Sequence, residues 1–362
     1  MSQYLKCNIW PLALLISTIF IGGCLSEIDI DIPSETGNNI VIVSKLSMGD
    51  PSIIEARITG LTPFSEDEDV ESIENALVNL VDENGNAQLV PHTLSGNYKS
   101  IISQVRIEAG QRYQLRVEVN GNTYESEFEK LHAVPKAIKI EHTDIVRSEL
   151  NAAGNIVDNR YIKFFIDTPL TTEASDEKVY LKWDFIGNYR FAETVLDSPF
   201  PPLTKTCYIT RLLNLDKIAI YNGPESRESI LEKEFLLEEA LDDRFSRGFY
   251  LTALQQTLSE NAYEYWEQIN AITDLSGNFF EDPPGKIIGN FKNAVNPNEE
   301  VFGFFYATQT DTVRSFVSAK DYEVPSLCPG TGTPSDESIK SSCFNCLLEV
   351  NSTTTKPSYW IE

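Results

Sequence analysis

The chain has 362 residues, with 54 acidic against 29 basic side chains and a formal net charge of −25. That balance argues against nucleic acid or anionic lipid headgroups as ligands of the folded surface, since both need clustered Lys and Arg. Nineteen Phe and fifteen Tyr against two Met lean toward β structure, where flat and branched side chains pack well on a pleated face.

In chain order, the first feature is a secretion signal. Lys6 supplies a positive start, an apolar run extends from Ile9 to Ile21, and Gly22-Gly23 lead directly into Cys24. Small residues let a lipidating enzyme approach the backbone, and the thiol accepts the lipid. The run is shorter than the ~20 residues a membrane-spanning helix needs. We therefore expect residues 1–23 to be a lipoprotein signal peptide and Cys24 to be the lipidation site (palmitate among its acyl chains). Two or more chains hold a protein on a membrane stably, at ~0.8 kcal/mol per buried methylene. Residues 24–38 read as a tether in which Glu27, Asp29 and Asp31 alternate with Ile.

From residue 39 the pattern is that of short strands. Asn39–Lys45 is β-rich, and Ser52–Thr59 and Ala76–Asp82 alternate, the latter running into an Asn84-Gly85 turn. Gln111–Val119 turns at Asn120-Gly121 into Thr123–Phe128. This density of strands predicts an immunoglobulin-like sandwich over residues 39–135. The acidic run Ser65–Glu74 lacks the spaced oxygens and fixed Gly of a calcium loop and reads as solvated.

Pro135 marks a boundary, and residues 136–362 predict a larger antiparallel β-barrel or sandwich, so the fold class is all-β. Its expected strands include Ala137–His142, Tyr161–Asp167, Lys178–Ile186, Phe249–Thr257, Val301–Thr308 and Thr312–Ala319. A helix is expected near 259–276. Ser259 is its cap, Leu258 and Tyr263 its staple, Ala262, Trp266, Ile269 and Thr273 its buried stripe, and Gly277 its end. Ser229–Leu241, rich in Glu and Leu, predicts a second helix.

Beyond Cys7 and Cys24, four cysteines remain, Cys207, Cys328, Cys343 and Cys346. In an exported protein they are disulfide candidates, with Cys328 expected to join Cys343 or Cys346. One CxxC and three distant His do not make a zinc site. No HExxH, P-loop, GxGxxG or nucleophile elbow is present, so no catalytic residue, metal or cofactor is assigned. Asp311-Thr312-Val313 fits a short O-glycosylation pattern at Thr312. Trp183, Trp266 and Trp360 are candidates for stacking on a sugar.

Several stretches, in order, resemble an uncharacterised family of Bacteroidota outer-membrane lipoproteins catalogued as a domain of unknown function. They are Cys24 after its signal, Gly110-Gln-Arg-Tyr-Gln-Leu-Arg-Val, Leu258-Ser-Glu-Asn-Ala-Tyr-Glu-Tyr-Trp, Phe279-Phe-Glu-Asp-Pro-Pro-Gly with Gly289-Asn290, Glu300-Val-Phe-Gly-Phe-Phe-Tyr-Ala, Val313-Arg-Ser-Phe, and the Cys343/Cys346 and Ser358-Tyr-Trp ending. Members of that family often sit beside starch-utilisation-type TonB-dependent receptors. The resemblance implies a non-enzymatic accessory or binding subunit at the outer membrane, anchored in the bilayer through acylated Cys24, with an outer-membrane β-barrel as partner. A surface glycan- or peptide-binding module is the alternative, and a hydrolase built on a converging Asp/Glu pair is the third reading.

Overall fold

A computed structural model describes residues 39–61, 70–213, 216–274 and 287–361. The signal peptide, Cys24, the tether, most of the acidic run and Gly277 lie outside them. The first block contributes nine strands. They are β1 (Ile40–Met48), β2 (Ile53–Gly60), β3 (Leu77–Asp82), β4 (Ala87–Val90), β5 (His92–Leu94), β6 (Asn97–Ile101), β7 (Arg112–Val119), β8 (Asn122–Ser126) and β9 (Glu129–Lys130). Asn120 and Gly121 both take positive φ (53° and 81°), as a two-residue hairpin turn between β7 and β8 requires.

The second block continues with β10 (Lys139–Leu150), β11 (Ile156–Pro169), β12 (Tyr180–Ala192), β13 (Val195–Leu196), β14 (Thr206–Leu213), β15 (Ala219–Tyr221), β16 (Ile230–Ala240) and β17 (Phe249–Leu258). Helix α1 (Glu260–Asp274) follows, then β18 (Phe291–Asn293), β19 (Val301–Phe302), β20 (Phe305–Val317), β21 (Thr331–Gly332) and β22 (Ser352–Thr353). Expected strands 301–308 and 312–319 are thus largely one strand, β20.

The strands form one dominant sheet of eleven, with the path β22-β14-β12-β17-β20-β1-β2-β6-β5 and β15 and β19 at its side. A six-stranded sheet, β18-β8-β7-β3-β4 with β9, covers one half of it. The three-stranded sheet β10-β11-β16 covers the other half. The fold is all-β with two sandwich-like halves, and none of these sheets closes into a barrel. Pro135 divides the chain but not the sheets. β1 lies parallel to β20 and antiparallel to β2, while β18 pairs with β8. The large sheet is therefore mixed, not purely antiparallel.

The alternation of side chains decides which face is covered. Ile42, Leu46, Ile54, Ile58, Phe305 and Ala307 point into the first core. Trp183, Phe185, Phe249, Leu251, Ala253 and Val317 point into the second. The registers Trp183↔Gln255, Ala253↔Val313, Leu46↔Ala307 and Ala56↔Tyr98 place all of them on the same face of the large sheet. Both smaller sheets pack there. The opposite face carries α1 and an aromatic cluster of Tyr208, Tyr250 and Trp360.

Tyr113 at the start of β7 donates to the Arg106 carbonyl at 2.9 Å and accepts from the Glu108 amide at 2.8 Å. This is the backbone-directed tyrosine found at a corner of immunoglobulin-type sandwiches.

The helix expected over Ser229–Leu241 is strand β16. Its pairing with β11 slips between Phe164 and Phe165 and between Ile166 and Thr168, and Lys233 takes a φ of 55°. Each bulge shifts the phase of the alternation. Leu231, Leu236 and Leu237 then face the core without a strict two-residue alternation, and the Glu- and Leu-rich composition reads as helical.

Disulfides join Cys207 to Cys346 and Cys328 to Cys343. All four cysteines are buried in the second core, and the first bond ties the C-terminal segment to β14.

Candidate binding site on the open face of the large sheet

Helix α1 is held on the open face at both ends. The Ser259 hydroxyl accepts from the Ala262 amide at 3.1 Å, making it the helix cap, and donates to Glu129. Toward the other end, Asn270 accepts from the Ile218 amide at 2.8 Å and donates to the Ile218 carbonyl at 2.9 Å. Tyr263 stacks on Tyr180 of β12 with centroids 4.9 Å apart. The stripe Ala262, Trp266 and Ile269 faces the sheet as its spacing predicts, whereas Thr273 is exposed.

These anchors fix Trp266 over the sheet. Its ring meets Tyr306 of β20 edge-on at 5.8 Å and Tyr265 at 5.2 Å. The Lys182 ammonium lies 5.2 Å from its centroid. Trp266 walls two neighbouring cavities. One, of about 380 Å³, is lined by Lys182, Asp184, Leu212, Lys217 and Ile218. The other, of about 420 Å³, is lined by Lys45, Glu55, Arg57, Asn97, Lys99 and Tyr306. Both volumes fall in the range of small-ligand pockets.

The floor follows from register. Tyr306 lies opposite Lys45, Lys45 opposite Glu55, and Glu55 opposite Lys99, forming a row across four strands. Lys99 pairs with Glu55 at 2.7 Å. On β12, Lys182 pairs with Asp184, and Gln256 of β17 donates to the same carboxylate. Burial lowers the Lys182 ammonium, and the opposing pull of Asp184 does not restore it. For Asp184, burial pushes the carboxyl up, but Lys182 and the hydrogen bonds from Lys182 and Gln256 outweigh it and hold the group below its ordinary value. Burial, with Asp184 and Glu55 nearby, pushes the Tyr306 hydroxyl far up, so it remains a donor. Trp266 Nε1 and Gln256 Oε1 are enclosed without a hydrogen-bond partner among the described residues.

Tyr306 is positioned by Asn290. Its side chain accepts from the Phe305 amide at 2.9 Å and donates to the Phe305 carbonyl at 2.7 Å, behaving as an extra rung of the sheet. Gly303 and Gly289 make this approach possible. A Cβ on Gly303 would lie 2.0 Å from the Ile42 carbonyl oxygen, and one on Gly289 would lie 2.1 Å from that of Gly303.

Of the three tryptophans singled out for stacking, Trp266 lines both cavities, and Trp183 borders the smaller one with its ring turned into the core. Trp183 is 4% exposed and donates to Gln255 in the second core. Trp360 is 3% exposed, packed on Tyr208 and Tyr250 beneath Arg190. Strand phase and the C-terminal cluster bury them. Thr312 is exposed on the open face, opposite Leu254 of β17. His92 meets Tyr98 edge-on, His132 sits at the joint between the blocks, and His142 contacts Ser315 at 3.2 Å. Among the described residues, no group of three or more His, Cys, Asp or Glu is arranged to hold a metal, and no helix is long and apolar enough to cross a membrane.

The cleft charges were not singled out in the sequence. Their signal is polar alternation inside strands that are otherwise apolar, as in Lys182-Trp-Asp184 and Glu55-Ala-Arg57.

No match is found among curated proteins or among solved structures. Residues 26–314 match the family described as a domain of unknown function, DUF4249. The match takes in both cavities, α1 and most of β20, and the chain belongs to that family.

Proposed function

We propose that the protein is a lipid-anchored, non-enzymatic binding subunit of an outer-membrane complex, acting beside a β-barrel receptor of the TonB-dependent kind. The observation that carries the reading is the two-chambered cleft around Trp266, built on the face that neither smaller sheet covers. Its two wall carboxylates, Glu55 and Asp184, are held in ion pairs with Lys99 and Lys182. Lys182 holds Asp184 ionised, which suits a hydrogen-bond acceptor and not the protonated general acid that glycoside hydrolysis needs. The signal, Gly22-Gly23-Cys24 and the tether that follows supply the anchor. Fully extended, the stretch from Cys24 to Ile40 spans about 50 Å, enough to hold the cleft close to a barrel in the same membrane.

Metabolic labelling with a palmitate analogue tests the anchor, and isolation from mild detergent tests the partner. Label should enter the wild-type protein and not a Cys24→Ala variant, and a large β-barrel protein should copurify. An unlabelled protein that repeatedly comes out alone overturns the proposal.

A further inference from the structure

We infer that the Trp266 cleft takes an acidic oligosaccharide, one bearing carboxylates on its sugar rings. The inference rests on the binding reading above but not on the acyl anchor or the barrel.

Charge is the first argument. Among the described residues that line the two chambers, Lys45, Arg57, Lys99 and Lys182 stand against two carboxylates, Glu55 and Asp184. The whole chain has nearly twice as many acids as bases. The cleft therefore reverses the sign of the molecule around it. Glu55 and Asp184 are matched by Lys99 and Lys182. Lys45 and Arg57 form no ion pair among the described residues, and both line the larger chamber. Lys45 is half-buried and Arg57 is exposed, so a ligand carboxylate can reach both and form charge-assisted hydrogen bonds with them.

The second argument is the shape and chemistry of the wall. Trp266 separates the chambers, so an occupant that fills both must pass along an aromatic surface and present small units on either side of it. Linked sugar rings do this, with C–H faces against the indole and hydroxyls toward Glu55, Asp184 and Asn97. The unpartnered Trp266 Nε1 adds a spare donor at this wall.

The third argument concerns peptides. An extended peptide usually joins a sheet at an edge, through main-chain hydrogen bonds. The cavities are lined mainly from interior strands, β12, β14, β20, β1, β2 and β6, and the edge strands β5 and β15 contribute one residue each, Thr93 and Ala219. The cleft offers side chains, which suit a saccharide better than a strand.

Calorimetry on the purified full chain in mild detergent tests the inference, with short oligogalacturonates, neutral malto-oligosaccharides of equal length and an oligoglutamate peptide as probes. The acidic saccharide should bind, more weakly as salt is raised. Lys45→Gln with Arg57→Gln should cost about tenfold in its affinity, a loss on the scale of a charged hot spot. Trp266→Ala should lose at least as much, and Trp266→Phe should restore part of it. Melting curves identify any variant that fails to fold, and the two exposed-rim substitutions keep the test open if Trp266→Ala does. Equal binding of the neutral saccharide, tighter binding of oligoglutamate, or no binding of any acidic saccharide overturns the inference. A barrel that copurifies with a protein binding no acidic saccharide sinks this inference alone. An acidic saccharide bound by a protein recovered without a barrel sinks only the proposed complex.

Discussion

The ammonium of Lys182 pairs with the carboxylate of Asp184, two positions further along β12, and the two differ sharply in exposure. The Lys182 side chain is 6% exposed and that of Asp184 is 34% exposed. The pair is therefore asymmetric. Asp184→Asn strands a buried ammonium and should cost about 3 kcal/mol. Lys182→Met leaves a carboxylate that still reaches water and Gln256, and should cost about 1 kcal/mol. Urea unfolding of both variants measures the difference; equal losses would contradict it.

Asn290 closes the β20 backbone beside the cleft through both ends of its amide. Asn290→Ala leaves the Phe305 amide and carbonyl without their partner in a buried setting. Each unmade bond costs about 1–3 kcal/mol. The variant should lose about 3 kcal/mol of stability, and hydrogen exchange at Phe305 and Tyr306 should quicken before the rest of the sheet. Unchanged exchange there would show that Asn290 does not hold the strand.

Burial, aided for His132 by Lys130, lowers the pKa values of His132 and His142 below 6.5. Between that value and the lowered ones the unfolded chain takes up protons that the folded chain refuses, so stability falls as the solution is acidified. Glu129 works in the opposite sense. Burial raises its carboxyl above 4.5 despite the donors Ser259 and Asn290, so the folded state gains as pH falls through that raised value. Unfolding free energies measured from pH 7 to pH 5 should decline in the wild type. A double His132→Gln, His142→Gln variant should flatten or reverse the slope. A wild-type slope that survives the double substitution would place the titration elsewhere.

The two disulfides close loops of very different length, with separations of 139 and 15 residues. In the chain-entropy account a 15-residue loop is worth about 3 kcal/mol and a 100-residue loop roughly 4.7 kcal/mol. Replacing Cys207 and Cys346 together by Ala should lower the melting temperature more than replacing Cys328 and Cys343. Calorimetric melts rank the two.

The helix α1 was legible because its signals are local. Ser259 caps it, and Ala262, Trp266 and Ile269 recur at helical spacing. Strand β16 was not, because the bulges that set its phase, including the one at Lys233, depend on how β11 pairs with it. The tryptophans show the same limit. Trp183 and Trp266 each sit in an amphipathic pattern, and only the packing of a second sheet decides which one is sealed in. The cleft was less legible still. Lys45, Arg57 and Lys99 come from the first block and Lys182, Asp184 and Trp266 from the second. They meet because β1 lies beside β20, a pairing across some 260 residues that no local pattern announces.

That pairing also constrains how the polypeptide reaches its final form. Ribosomes and export channels deliver the amino end first, yet the place of β1 is bounded by β2 on one flank and by β20 on the other. Until the segment Phe305–Val317 arrives, β1 has an unpaired flank and the first core lacks Phe305 and Ala307. Contacts so remote along the chain form slowly. Maturation must therefore wait for nearly the whole polypeptide to emerge from the ribosome, so the first core cannot close while most of the chain is still being made.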